Sequence, residues 1–278
     1  MNLFSAPENM RNYVELGGKK AECAALKLFL LGIASGVILG FGGVAANTAS
    51  HALANPSAAR IVSGLMFGFC LGMIMLTGSE LFTGNCMIVV SVAARRTTLA
   101  GMLRNWFYVY AGNMTGGLIL ACGIVASGQL DYNGGALALH TIRTAAAKCA
   151  IPFARAVLLG VFCNILVCMG VLCSLTARDA FGRIAGAYLP VTFFVIGGFE
   201  HSIANMYYIP AGLFAAGIEA YSQMAGDAGL ALGALSWGSF FARNLLPVTI
   251  GNIIGGAGTG LLFWFCHARE DKGTGPAG

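Results

Sequence analysis

Apolar residues along the chain come in long runs separated by short polar or charged stretches. One run extends from Leu28 to about Ala46, and others from Ile61 to Ser79, Trp106 to about Gln129, Ala156 to Ala177, and Leu245 to Cys266. Each is close to the roughly 20 residues that a helix needs to cross the hydrocarbon core of a bilayer. The remaining run, Ile184 to about Ala225, is too long for one crossing and is interrupted near Glu200-His201, while the apolar stretch after Glu80 is too short for one. The pattern predicts an all-α membrane protein with six transmembrane helices, of which helices 2 and 5 are broken. Both breaks fall beside the two acidic residues that lie within apolar segments, Glu80 and Glu200.

Composition strengthens this picture. Hydrophobic residues make up 57% of the 278 and charged residues 10%, against roughly 25% charged in soluble domains. Sixteen basic residues, eleven acidic ones and four histidines cannot cover a soluble surface of this size, so the remaining surface must face lipid. Soluble enzymes, disordered chains and nucleic-acid binders are excluded. The nine cysteines lie mostly inside apolar runs and form no C-x-x-C pair, which reads as apolar filling; no metal site or cofactor is expected. Residues 1–26 are polar and do not form a cleavable signal. They are expected as a cytoplasmic N-terminal segment before a membrane domain of 27–268 and a cytoplasmic tail of 269–278. Eleven Lys and Arg, from Arg11 to Lys272, fall on one side of the six spans, and five fall on the other: Arg60, Arg143, Lys148, Arg155 and Arg243. Excess positive charge marks the cytoplasmic side, which puts both termini inside.

The chain also repeats itself. Arg104-Asn105, six residues, Gly112-Asn113, two residues, Gly116-Gly117 recurs as Arg243-Asn244, six residues, Gly251-Asn252, two residues, Gly255-Gly256. Lys27-x-x-Leu30-Leu31-Gly32 recurs as Arg155-x-x-Leu158-Leu159-Gly160, and Glu80-x4-Asn85 as Glu200-x4-Asn205. The order is preserved, so spans one to three match spans four to six. Three spans per copy is an odd number, which requires two inverted three-helix repeats, an architecture that places the substrate path near the midplane at the repeat interface.

At the first break, Gly78 and Gly84 allow unusual dihedrals, while Ser79, Thr83 and Asn85 offer partners to freed backbone groups, with the helix expected to restart near Asn85. At the second, Ser202 is the expected N-cap. Two half-helix N-termini at mid-membrane favour an anion between them. His201 is the histidine well inside an apolar span, and an ionisable group at that depth reads as functional. It is suited to exchanging a proton with a weak acid. Glu80 and Glu200, being repeated, are expected to tie the breaks together.

Leu81-Phe82-Thr83, the run Gly198-Phe199-Glu200-His201-Ser202-Ile203-Ala204-Asn205-Met206 and the run Pro247-Val248-Thr249-Ile250-Gly251-Asn252-Ile253-Ile254-Gly255-Gly256 resemble the signatures of the formate/nitrite transporter family. The resemblance covers the chain from about Glu15 to Cys266. It implies an aquaporin-like fold, a homopentamer with one pore per subunit, a bacterial inner membrane, and small monovalent anions (formate, nitrite or hydrosulfide) as the species passed. It further implies an outer constriction of Phe67 and Phe194 and a cytoplasmic one of Leu71 and Leu81. Thr83 and His201 would face each other at the pore centre, Asn164 and Asn252 would add polar pore contacts, and Lys20 and Lys148 would attract anions. The Ala-rich surroundings of Lys148 lean toward the hydrosulfide branch. Two other readings start from other residues. Asn55-Pro56-Ser57 weakly suggests a neutral-solute channel, and Ser79 with His201 weakly suggests an intramembrane hydrolase.

Overall fold

Residues 3–269 are described by the computed structural model of the chain; Met1, Asn2 and 270–278 lie outside it, and with them Lys272 and all but the first residue of the expected tail. The described residues form helices joined by short turns. In order these are α1 (Ala6–Glu22), α2 (Ala25–Ser50), α3 (Pro56–Phe67), α4 (Phe69–Thr77), α5 (Phe82–Asn85), a 3₁₀ turn (Cys86–Ile88), α6 (Val89–Ala93) and α7 (Leu99–Ala126). After a short turn follow α8 (Ala136–Cys149), α9 (Phe153–Thr176), α10 (Ala180–Gly197), α11 (Ser202–Ala216) and α12 (Glu219–Asp227). The last helices among the described residues are α13 (Trp237–Ser239), a π-helical turn (Phe240–Leu245) and α14 (Leu246–His267).

Six helical stretches are long and apolar enough to cross a membrane: Ala25–Ser50, Pro56–Thr77, Leu99–Ala126, Phe153–Thr176, Ala180–Gly197 and Trp237–His267. These are the six spans that hydropathy predicts, each starting somewhat earlier and the third and sixth by the most. The third begins at Leu99 rather than Trp106 and the sixth at Trp237 rather than Leu245. In the third and the sixth, an Arg-Asn pair that reads as a loop lies inside the helix. Arg104 pays no burial cost there, because its guanidinium donates to the Cys23 carbonyl at 2.8 Å and reaches the Ala21 carbonyl at 3.4 Å, at the exposed edge of α1.

The polar N-terminal segment is structured. Ser5 accepts from the Glu8 N–H while the Glu8 carboxylate accepts from the Ser5 N–H, a capping box that starts α1. The helix then lies against the ends of the spans. Tyr13 Oη donates to the Gly84 carbonyl at 3.0 Å, Ser91 Oγ to the Val14 carbonyl at 2.8 Å, and Asn9 Nδ2 to the Leu172 carbonyl at 2.8 Å. The connection between the third and fourth spans likewise contains a helix, α8, with Lys148 in its last turn.

Glycine rows set how the long helices meet. An atom placed at the Cβ position of Gly112 on α7 would stand 3.0 Å from Gly32 Cα on α2, and one on Gly251 of α14 would stand 3.0 Å from Gly160 Cα on α9. Each would also collide with a backbone carbonyl oxygen, that of Phe29 for Gly112 and that of Val157 for Gly251, at separations that real Cβ atoms do not show. These crossings are backbone against backbone, the packing that small residues permit in membranes. Backbone cannot yield as a side-chain tip does, so Gly112→Ala and Gly251→Ala should each destabilise the protein by about 1–3 kcal/mol, the usual cost of overpacking. Gly226→Ala on exposed α12, which would meet nothing within 4 Å, should cost nothing. Thermal midpoints of the three variants in detergent test this; equal midpoints would remove the packing argument.

Candidate functional site

The chain leaves helical geometry at two places within the apolar bundle, and each begins with glycine. Gly78 ends α4 with φ 67° and Gly198 ends α10 with φ 71°, left-handed conformations that cost glycine little. Gly84, by contrast, lies inside α5 and adopts no unusual angle. α5 restarts at Phe82, three residues before the expected Asn85.

Unwinding exposes backbone groups that apolar surroundings cannot satisfy. At the first break they are taken up by Asn113 on α7. Its Oδ1 accepts from the Phe82 N–H at 3.0 Å, and its Nδ2 donates to the carbonyls of Glu80 at 2.9 Å and Gly32 at 2.8 Å. At the second, Asn252 on α14 makes the same three bonds: from Ser202 N–H at 2.9 Å, and to Glu200 and Gly160 carbonyls at 3.1 and 2.8 Å. The breaks are also pinned from α2 and α9, since Glu80 N–H donates to the Leu31 carbonyl at 3.2 Å and Glu200 N–H to the Leu159 carbonyl at 3.3 Å.

The two carboxylates close a second pair of matched networks. Lys20 Nζ lies 3.0 Å from Glu80 Oε2, and Lys148 Nζ lies 2.8 Å from Glu200 Oε1. Asn85 Nδ2 donates to Glu80 Oε2 at 2.6 Å and to Asn105 Oδ1 at 2.9 Å; Asn205 Nδ2 donates to Glu200 Oε2 and to Asn244 Oδ1, both at 2.7 Å. Asn105 and Asn244 then donate to the main-chain carbonyls of Lys20 and Lys148 at 3.0 and 2.9 Å. A charge at this depth is tolerable only when paired and hydrogen-bonded, and both glutamates are.

Between the breaks, His201 Nε2 lies 3.0 Å from Thr83 Oγ1, and both residues are buried. The imidazole stacks on Phe194, with ring centroids 5.6 Å apart and 19° between planes, and Phe194 meets Phe67 edge-to-face at 5.8 Å. Leu71 and Leu81 are buried in the same apolar cluster. Asn164 Nδ2 donates to the Thr83 carbonyl at 3.0 Å and the Asn252 carbonyl at 2.6 Å. Two charged outer elements, two breaks and a small polar contact flanked by aromatic and aliphatic side chains therefore lie in one continuous arrangement. No group of three or more His, Cys, Asp or Glu among the described residues could hold a metal ion.

Comparison with known proteins agrees with this geometry. The family model described as formate/nitrite transporter matches residues 7–265. The chain belongs to the formate/nitrite transporter family. It is 36% identical over 262 residues to the formate channel FocA of Escherichia coli (strain K12), with 92% of each chain covered. It is 33% identical over 263 residues to a probable formate transporter of Methanothermobacter thermautotrophicus, covering 88% of this chain and 90% of that one. Among solved structures it resembles a pentameric formate channel with formate bound, at a TM-score of 0.78 and 32% identity over 88% of this chain and 98% of that one. It shares its fold with an FNT family ion channel at a TM-score of 0.80 and 24% identity, covering 93% and 98%. Relatives of this kind are membrane channels and transporters rather than enzymes.

As a family member the chain departs from several sequence expectations. Ser202 is not the N-cap of α11: His201 is, its Nδ1 accepting from the Ala204 N–H at 3.1 Å. Ser79, Thr83 and Asn85 do not satisfy the freed backbone at the first break; Ser79 Oγ pairs with Thr77 Oγ1 at 2.8 Å, and the work falls to Asn113. Ser79 and His201, weakly suggestive of a hydrolase pair, take other partners, Thr77 for Ser79 and Thr83 with the Ala204 N–H for His201. Asn55 of the Asn-Pro-Ser match simply caps α3, accepting from the N–H groups of Ser57 and Ala58. The amide of Asn252, expected to face the pore, is fully committed to the second break. Lys20 and Lys148, expected to attract anions, are ion-paired with Glu80 and Glu200, partners that the sequence reading did not assign to them. Sequence reasoning did not single out Asn113, Asn105 or Asn244 as site residues, although the repeated Arg-Asn and Gly-Asn pairs carried the signal.

Two outcomes test these roles. Asn113→Leu strands one N–H and two carbonyls, each worth about 1–3 kcal/mol when buried and unpaired, so folded protein should be largely lost, as it should be for Asn252→Leu. The side chains of Lys148 and Glu200 are 18% and 6% exposed, so the single change Lys148→Met should cost about 3–5 kcal/mol by leaving a buried charge alone, and Lys148→Met with Glu200→Gln should recover much of that. A double variant no more stable than the single one would show that the pairing carries little.

Proposed function

We propose that the protein is an anion channel of the bacterial inner membrane, with both termini cytoplasmic and five copies to an assembly. It passes small monovalent anions of weak acids, formate first and nitrite or hydrosulfide as members of the same class. The supporting observation is the Thr83–His201 contact, held between two backbone breaks and overlain by Phe194 and Phe67. The names of the relatives favour formate within that class. In this reading the chain is two inverted three-helix repeats in an aquaporin-like arrangement, with spans 2 and 5 broken, and the matched bonds of Asn113 and Asn252 support the repeat.

The chemistry follows from desolvation. A bare anion entering an apolar neck loses hydration that leucine and phenylalanine cannot replace. Phe67 and Phe194 form the outer neck and Leu71 and Leu81 the cytoplasmic one, and they exclude hydrated ions. A weak acid can cross a neck as its neutral conjugate. At the centre, Thr83, His201 and the N-terminal end of α11 favour the charged form. Lys20 and Lys148, each ion-paired with a glutamate, are the cationic groups that an entering anion would meet on either side. Asn164 and Asn252 fix the backbone on which this centre is built.

Purified protein in liposomes should carry formate down its gradient while excluding chloride and acetate, and its mass in mild detergent should be about five times 28.7 kDa. Phe194→Ala should widen the outer neck and admit acetate. A wild-type protein that conducted glycerol and no formate would overturn the reading.

A further inference from the structure

The helix that restarts after the second break is buried almost throughout. From His201 to Gly212 every residue is buried except Tyr208, which keeps accessible surface. Three groups set the position of its ring. Phe67 of the outer neck stacks on it, with centroids 6.4 Å apart and 17° between planes. Lys148 Nζ, paired with Glu200, stands 5.4 Å from its centroid. Gly43 on α2 makes room for its tip, since a Cβ there would lie 3.2 Å from Tyr208 Cζ. The ring thus continues the aromatic wall of Phe194 and Phe67 outward to the ammonium group. Its hydroxyl is not needed by the fold. Tyr13, Tyr110, Tyr188 and Tyr221 each use theirs in a hydrogen bond, whereas Tyr208 Oη has no hydrogen-bond partner among the described residues. Nor does the matched scaffold account for it. By the Glu-x4-Asn spacing, the corresponding position after the first break is Ile88, apolar and fully buried.

We propose that Tyr208 is a recognition residue for oxygen-bearing anions at the outer mouth of the pore. Its hydroxyl makes the last hydrogen bond that such an anion accepts from a side chain before the aromatic neck. The inference rests on the proposed function and names a contact through which that pore selects its substrate class. An anion that has reached Lys148 still holds most of its water, and the phenylalanines beyond offer no donor to replace it. A phenol O–H supplies one replacement where the water must be shed, and O–H···O⁻ bonds are short and strong. The oxygens of formate and nitrite suit this donor, whereas sulfur accepts hydrogen bonds weakly. The ammonium group over the ring is attracted to its face and holds it in place. Glu200 offsets much of the charge of Lys148, so attraction by charge alone separates small anions poorly. The hydroxyl adds a directional criterion. With Ile88 at the matching position, the cytoplasmic side has no such donor there, and this selection belongs to the outer mouth.

Tyr208→Phe removes the hydroxyl and keeps the ring, and it should fold as the wild type does because Oη bonds nothing in the fold. In liposomes it should raise the formate concentration at half-maximal flux by about threefold to tenfold, the range of one net hydrogen bond. An unchanged half-saturation overturns the inference. Wild-type protein labelled with ¹³C at tyrosine Cζ gives a second readout that does not depend on flux. Formate should move one resonance, the one missing from Tyr208→Phe, and chloride at the same concentration should leave it in place. A resonance that formate does not move, or that chloride moves as far, also overturns the inference. A wild-type protein that shows the formate shift but carries no formate counts against the channel reading and leaves the contact standing.

Discussion

Backbone groups freed inside an apolar bundle have no water to bond, and the architecture is organised around this constraint. A helix avoids the problem by bonding to itself, so a chain that unwinds at two points must import partners from elsewhere. One asparagine serves each break. An amide side chain offers an acceptor and two donors in a fixed plane, which matches one stranded N–H and two carbonyls. Asn113 and Asn252 use all three. Remove either and the break has no stable conformation in this environment.

The remaining features follow from placing those amides correctly. Asn113 reaches both Glu80 and Gly32 because α7 and α2 touch through Gly112 and Gly32, and Asn252 reaches Glu200 and Gly160 because α14 and α9 touch through Gly251 and Gly160. A bulkier crossing would lift the amide out of reach. The outer helices α1 and α8 add a lysine each, 128 residues apart, and these neutralise the two glutamates. Packing, amide and ion pair form one interdependent unit, present twice.

Matched scaffolds carry unmatched residues at the centre. Position for position, Leu81 stands where the second break has His201, and Thr83 where it has Ile203. The first break therefore contributes an apolar side chain and a hydroxyl, the second an imidazole and an apolar side chain. The hydroxyl of the first and the imidazole of the second meet at 3.0 Å. A symmetric scaffold thus holds an unsymmetric polar contact.

Much of this was legible along the chain. The number of spans comes from hydropathy, because membrane crossing depends on the local density of apolar side chains, and the glycines that end α4 and α10 lie beside Glu80 and Glu200, where the apolar runs are interrupted. The capping box Ser5-x-x-Glu8 that starts α1 lies in a segment read from the sequence only as polar. What sequence could not determine was which partner each polar group takes. Arg104 and Asn105 look like loop residues until α1 supplies their acceptors. Ser202 looks like the better cap until the imidazole of His201 occupies that place, and Lys148 looks free until Glu200 is found 2.8 Å away. Hydrogen-bond partners here lie tens to more than a hundred residues apart in the chain. Local pattern determined where the backbone breaks in the membrane, and only tertiary packing decided which groups meet at the breaks, because a directional bond requires both partners to be in position.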